Sequence, residues 1–193
     1  MTDLELRLTQ LRAEHLALHN RRDTTAIDVP SAVWLCRTIE REQFTRILEL
    51  GSGFSTWVLR DWQHDHPLVD VWTIDDEQPW LEKTRAEIER RRLPAEHFWT
   101  FNGFRALHNV TFDLVFVDLD NMRTRLTHAE KFIQWTRPGG LLVFDDWHFS
   151  DYAAEMTSIL AKHGLTVHEA WDTMDRHGRY LAWTQVSSHP RTE

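Results

Sequence analysis

The sequence predicts a doubly wound α/β domain built on a mostly parallel sheet, and three observations predict it. From residue 46 onward, short apolar runs alternate with stretches of helical periodicity. The runs themselves, such as Ile47-Leu48-Glu49-Leu50 and Leu114-Val115-Phe116-Val117, are apolar at nearly every position, as strands buried on both faces of a sheet must be. The last two runs are separated only by Trp171 to Arg179, which is too short for a helical crossover and fits an antiparallel hairpin.

Two helices precede this alternation. Apolar positions recur every three or four residues from Leu4 through Leu8, Leu11, His15 and Leu18, predicting an amphipathic helix that ends near Asn20. A second helix starts after Asp28-Val29-Pro30-Ser31, where Pro and Ser suit a first turn, and runs through Trp34, Leu35 and Ile39 to about Phe44. Residues 1–45 are thus expected to form a helical cap on a domain spanning 46–193, the two making one structural unit. Strands are expected at Arg46–Leu50, Val69–Ile74, His97–Phe101, Phe112–Asp118, Gly140–Asp145, Leu165–Glu169 and Tyr180–Gln185. Helices are expected at Thr56–Trp62, Pro79–Arg92, Thr124–Thr136 and Tyr152–Lys162.

Composition narrows the function classes. With 193 residues, 41% hydrophobic and 27% charged, the chain is sized and composed like a single globular domain. No apolar run approaches the ~20 residues that cross a bilayer, and Met1-Thr2-Asp3-Leu4-Glu5 lacks the pattern of a secretory signal, so a cytoplasmic setting without membrane partners is expected. A net charge of -8 argues against a nucleic-acid partner, which would need clustered cations. The basic cluster from Arg85 to Arg92 is interrupted by Glu87, Ile88 and Glu89 and reads as a solvated helix face. The lone Cys36, among Trp34, Leu35 and Ile39, reads as a buried thiol. The Leu stripe of the first helix suits a substrate lid, a homodimer contact or simple packing alike.

In such a sheet ligands collect at the carboxyl ends of the strands. The first strand ends in Glu49-Leu50-Gly51-Ser52-Gly53-Phe54-Ser55-Thr56. There Gly51 and Gly53 let backbone N–H groups approach a ligand, with Ser55 or Thr56 capping the helix behind. Thr56 stands where a dinucleotide fingerprint has its third glycine, and Glu49 would repel a pyrophosphate while suiting a positively charged ligand. Asp75, at the next strand end with Asp76 beside it, lies where a carboxylate grips a ribose diol. Asn102 and Gly103 follow the third strand and could turn the chain over an adenine.

These motifs, with Phe112-Asp113-Leu114-Val115-Phe116-Val117-Asp118 and Arg137-Pro138-Gly139-Gly140-Leu141-Leu142-Val143-Phe144-Asp145-Asp146, resemble in order and spacing those of class I S-adenosylmethionine-dependent methyltransferases across residues 46 to 186. The resemblance implies a seven-stranded sheet with a reversed last strand, S-adenosylmethionine as cofactor and a small-molecule acceptor, methylated on oxygen. It implies that Glu49, Gly51 and Gly53 face the methionine part, Asp75 the ribose, and Asn102 or its neighbours the adenine. Ser55 departs from the further glycine that many members carry.

Three carboxylates, Asp118, Asp145 and Asp146, end the fourth and fifth strands, and such a set suits Mg²⁺ or another divalent ion. It resembles the metal-dependent O-methyltransferase branch, where the ion orients a substrate hydroxyl. Alternatively Asp118 touches substrate or cofactor while Asp145 and Asp146 cap the next helix. His148 is close enough in sequence to act as a general base, and Arg123 or Arg125 could receive an anionic substrate. Trp80, Trp147 and Phe149 suit a substrate wall or ordinary packing. Two other functions remain open: a nicotinamide-dependent oxidoreductase, and a protein that kept the fold and the cofactor but lost catalysis.

Overall fold

The uniform apolarity of the strands is explained by the direction of alternate side chains. In β1 (Arg46–Leu50), β4 (Phe112–Val117) and β5 (Thr136–Phe144), the side chains of Ile47, Leu114, Phe116, Leu141 and Val143 enter one buried cluster. Leu48, Leu50, Val115, Val117, Leu142 and Phe144 enter the other. Both faces are therefore covered, and at about 25 cal/mol per Å² of apolar surface the two clusters are the main stabilising term. The computed structural model describes residues 1–19, 26–104 and 110–187.

With β2 (Asp70–Asp75), β3 (Phe98–Thr100), β6 (His168–Ala170) and β7 (Leu181–Gln185), the sheet has seven strands in the order β3-β2-β1-β4-β5-β7-β6. All run parallel except β7, which is antiparallel to both β5 and β6. The reversed strand is the one expected. Its turn is held by Asp175, which accepts hydrogen bonds from the backbone of His177 at 2.7 Å and of Arg179 at 2.9 Å.

One face is covered by α1 (Asp3–His19), α2 (Val29–Arg41), α3 (Phe54–Asp65) and α4 (Gln78–Arg90), whose Leu8, Leu11, Leu35, Cys36, Ile39, Trp57, Val58 and Ile88 share a cluster. The N-terminal helices thus share the core of the sheet. Arg12 of α1 donates to the Ile27 carbonyl and pairs with Asp28 at 3.2 Å, while Asp28 caps α2 by accepting from Val29 N at 2.8 Å. Cys36 is buried, as expected, and burial pushes its thiol up. Glu87 departs from the expected solvated face and turns inward onto His19, at 3.1 Å.

The other face carries α5 (Phe101–Phe104), α6 (Met122–Thr127), α7 (Ala129–Trp135) and α8 (Ser150–Lys162). A single helix was expected over 124–136. It is broken at His128, which ends α6 and starts α7 without a Pro or Gly to announce it. Among the described residues no helix is long and apolar enough to cross a membrane.

The chain winds outward from β1 through β2 to β3, then returns to β4 on the other side, so the crevice of the doubly wound sheet opens between β1 and β4. Gly51 sits there at φ +99°, and a Cβ on it would stand 2.2 Å from the Asp118 carbonyl oxygen. A Cβ on Gly53 would meet nothing within 4 Å. Gly51→Ala should therefore cost more than about 2 kcal/mol of unfolding free energy, whereas Gly53→Ala should leave the denaturation midpoint close to that of the parent. Equal midpoints for all three chains would show that the β1–β4 approach is loose.

Candidate active site

The loops after β1, β2 and β4 enclose a cavity of about 410 Å³. Its floor is Gly51, Ser52, Gly53 and Ser55, its sides are Asp75, Asp76, Glu77, Trp80, Asp118, Asp120, Arg125 and Asp146, and α1, through His15 and Leu16, with Ala26 and Ile27 just before α2, roofs it. Six carboxylates against one guanidinium give the walls a strongly negative potential, which favours a cationic ligand.

The floor is braced from behind. Alternation along β1 sends Glu49 to the same face as Ile47, beneath α3, so it is fully buried and stays off the cavity wall. This differs from the expectation that it faces the ligand. Its Oε2 accepts from the Thr56 hydroxyl at 2.8 Å and the Thr73 hydroxyl at 3.0 Å. Thr56 in turn accepts from Gly53 N at 3.0 Å, capping α3 as expected, and Thr73 accepts from Arg60 Nη2 at 3.0 Å. Arg60 is fully buried and lies over the Phe98 ring at 4.5 Å. The sequence had not singled it out. Its one signal is its place four residues after Thr56, on the same side of α3.

Asp75 supports the floor from the side. Its Oδ2 accepts from Ser52 N at 2.7 Å and Ser52 Oγ at 2.6 Å, and its Oδ1 from Glu77 N at 2.8 Å. Oδ1 keeps a lone pair for a further donor, and burial raises the carboxyl above its usual range. Trp80, whose Nε1 donates to the Ser52 carbonyl at 2.5 Å, closes the loop from the α4 side.

Across the cavity, Asp118, Asp145 and Asp146 do converge, each offering an oxygen within 4.8 Å of the others. Desolvation and the Asp145 charge raise the Asp118 carboxyl well above the ordinary range, and desolvation with the Asp146 charge lifts Asp145 to about 6. The capping alternative fails, because α8 starts only at Ser150 and its cap residue, Phe149, makes no side-chain cap bond. Between the carboxylates lies Arg125, 1% exposed, with Nη2 donating to Asp118 Oδ1 and Asp146 Oδ2, both at 3.2 Å. A divalent ion does not fit this donor set as it stands, since two of the three carboxylates already answer to a buried cation.

Several expected residues lie elsewhere. His148 is half-buried beside Phe149, its Nδ1 4.0 Å from Asp146 Oδ1, and does not line the cavity. Gly103 is exposed and off the wall, Arg123 is exposed, and Trp147 packs on Phe144 and Tyr152. The Asn102 side chain, expected at the adenine, lies outside the described residues. Glu77 and Asp120, just past the ends of β2 and β4, join the wall beside the acids expected there, and His15 of α1 joins it unforeseen.

A family profile described as a methyltransferase domain matches residues 48–147, more than half of the chain. No curated protein sequence matches this chain. Among solved structures, the chain is similar to cofactor-bound Rv0187 from MTB, at 21% identity and a TM-score of 0.72 over 93% of this chain and 91% of that one. It is similar to the O-methyltransferase TomG of Streptomyces achromogenes, in complex with SAM, at 17% identity and a TM-score of 0.67 over 97% and 91%. An O-methyltransferase of Bacillus cereus in complex with SAH matches at 16% identity and a TM-score of 0.68 over 96% and 92%.

Burial raises the Glu49 carboxyl from 4.5 to about 7, so the folded chain holds that proton more tightly than the unfolded one. The stability gained is full below the unfolded value and is lost as pH rises through the folded one. Relative to Glu49→Gln, the parent should lose on the order of 3 kcal/mol between pH about 4 and pH about 8. Urea unfolding across that range checks this, and parallel pH profiles would contradict it.

Proposed function

The chain belongs to the methyltransferase-domain family, and from that premise we propose that it transfers the methyl group of S-adenosylmethionine to an oxygen of a small-molecule acceptor. The observation that carries this reading is the pairing of a glycyl floor, open at Gly53, with six carboxylates around one cavity. A sulfonium and an ammonium are drawn to such walls, while the pyrophosphate of a nicotinamide dinucleotide is repelled, which speaks against the oxidoreductase alternative. The complexes of TomG and of the Bacillus cereus protein, both called O-methyltransferases, support oxygen as the target.

When bound, S-adenosylmethionine supplies an electrophilic methyl carbon on a positively charged sulfur. In this reading the backbone of Gly51 to Gly53 lies against its methionine part, Asp75 accepts from the ribose through the spare lone pair of Oδ1, and Asp76 and Glu77 lie beside it. Glu49 serves from behind by fixing the loop. Asp118, the carboxylate of the cluster that lies on the wall at the end of β4, takes the acceptor's proton. His148, off the wall, has no such role. Trp80 and the α1 roof exclude water, so that catalysis is chiefly a matter of alignment. Divalent-ion assistance through Asp118, Asp145 and Asp146 stays outside the reading because Arg125 is seated among them.

S-adenosylhomocysteine should raise the melting temperature of the chain and NAD should not, since a ligand bound only by the folded state stabilises it by mass action. Asp75→Ala should weaken that binding more than about tenfold, the loss of about 1.4 kcal/mol. Stabilisation by NAD alone would overturn the reading. Binding of S-adenosylhomocysteine without methyl transfer to any hydroxyl acceptor in a broad screen would favour the catalytically silent alternative.

A further inference from the structure

We propose that Arg125 is the permanent counter-ion of the Asp118, Asp145 and Asp146 cluster, so that the chain works without a divalent metal and holds its acceptor by hydrogen bonds rather than by chelation. The inference rests on the methyl-transfer reading for its consequence, but on side-chain geometry for its substance.

Every nitrogen of the guanidinium has an acceptor. Nη2 bridges Asp118 Oδ1 and Asp146 Oδ2, each at 3.2 Å, Nη1 donates to the Asp145 carbonyl oxygen at 3.1 Å, and Nε donates to the Leu119 carbonyl oxygen. The Tyr152 ring lies 5.6 Å from the guanidinium carbon. The group bonds the loop after β4 on one side and the end of β5 on the other, where a chelated ion would otherwise join them. Its position is set by its helix, since Asn121 caps α6 by accepting from Arg123 N at 2.9 Å and Thr124 N at 3.2 Å.

Two physical facts make this arrangement exclusive. Arginine does not lose its proton in a protein, so the positive charge cannot be titrated away to admit another cation. A divalent ion taking the same two oxygens at about 2.1 Å would be brought against a charged nitrogen one hydrogen bond from both, too close for solvent to come between them. Moving Arg125 aside would strip four hydrogen bonds from a buried cation, a large penalty without a replacement partner.

The consequence concerns substrate class. Without a Lewis acid, a vicinal diol has no advantage over a single hydroxyl. The fitting acceptor carries one hydroxyl that donates to Asp118 and accepts from the guanidinium edge on the cavity wall. Its other polar groups must suit walls rich in carboxylates, which favours a neutral or cationic molecule over an anionic one.

Mn²⁺ titration of the chain, followed by the electron paramagnetic resonance of free Mn²⁺, tests this with and without S-adenosylhomocysteine. The parent and Arg125→Lys should take up no ion at the cluster at millimolar Mn²⁺. Arg125→Met should gain one site at least roughly a hundredfold tighter, and adding Asp145→Asn to that variant should abolish it. The inference is overturned if the parent binds one Mn²⁺ that Asp145→Asn removes, or if folded Arg125→Met binds none. The parent and Asp145→Asn measurements decide the matter even where Arg125→Met does not fold. S-adenosylhomocysteine binding is read from melting temperatures of the same samples. Its absence with Mn²⁺ still excluded counts against the cofactor reading alone.

Discussion

A single buried carboxylate holds the glycyl loop in place. Glu49 Oε2 gathers the hydroxyls of Thr56 and Thr73, and through them the backbone N–H of Gly53 and the guanidinium of Arg60. β1, β2, α3 and the loop between β1 and α3 are thereby joined by one chain of polar contacts inside an otherwise apolar layer. Such a network is costly when half made and rigid when complete, because a low-dielectric interior strengthens each bond and penalises each orphan. With the loop so braced, its other side can remain bare and face the cavity. The close approach of Gly51 to the Asp118 carbonyl then joins this loop to the one after β4.

The two sides of the cavity balance charge differently. On the β1 side, Arg60 compensates Glu49 at a distance through Thr73, out of reach of any ligand. On the β4 side, Arg125 touches its carboxylates directly and borders the cavity. The remaining acids at Asp75, Asp76, Glu77 and Asp120 leave the interior negative, and this residual field selects a positively charged ligand. Fold similarity adds the architecture of methyltransferases, while the choice of ligand class follows from the charges.

Much of this was legible in the residues. Alternating strand and helix patterns, the paired final strands and the acids at strand ends led to the seven-stranded sheet and to the convergence of Asp118, Asp145 and Asp146. What escaped depended on which way a side chain turns after the backbone is set. Glu49 was read as facing the ligand, although its alternation with Leu48 and Leu50 already placed it under α3 with Ile47. Arg125 was read as a residue for an anionic substrate because a buried arginine has no sequence signature. Only the distance between two strand ends reveals its partners. The break at His128 was equally hidden, since neither Pro nor Gly stands where α6 ends and α7 begins.

A buried network behind the glycyl loop, with Glu49 at its centre, holds that loop in shape. Thr56→Val removes one hydroxyl from that network, and with it the acceptor of Gly53 N, at a residue that does not itself line the cavity. Calorimetric titration of this variant with S-adenosylhomocysteine is the most direct measurement. An affinity lower by about tenfold, or about 1.4 kcal/mol, in a chain that still unfolds cooperatively is the predicted result. An unchanged affinity would contradict the account.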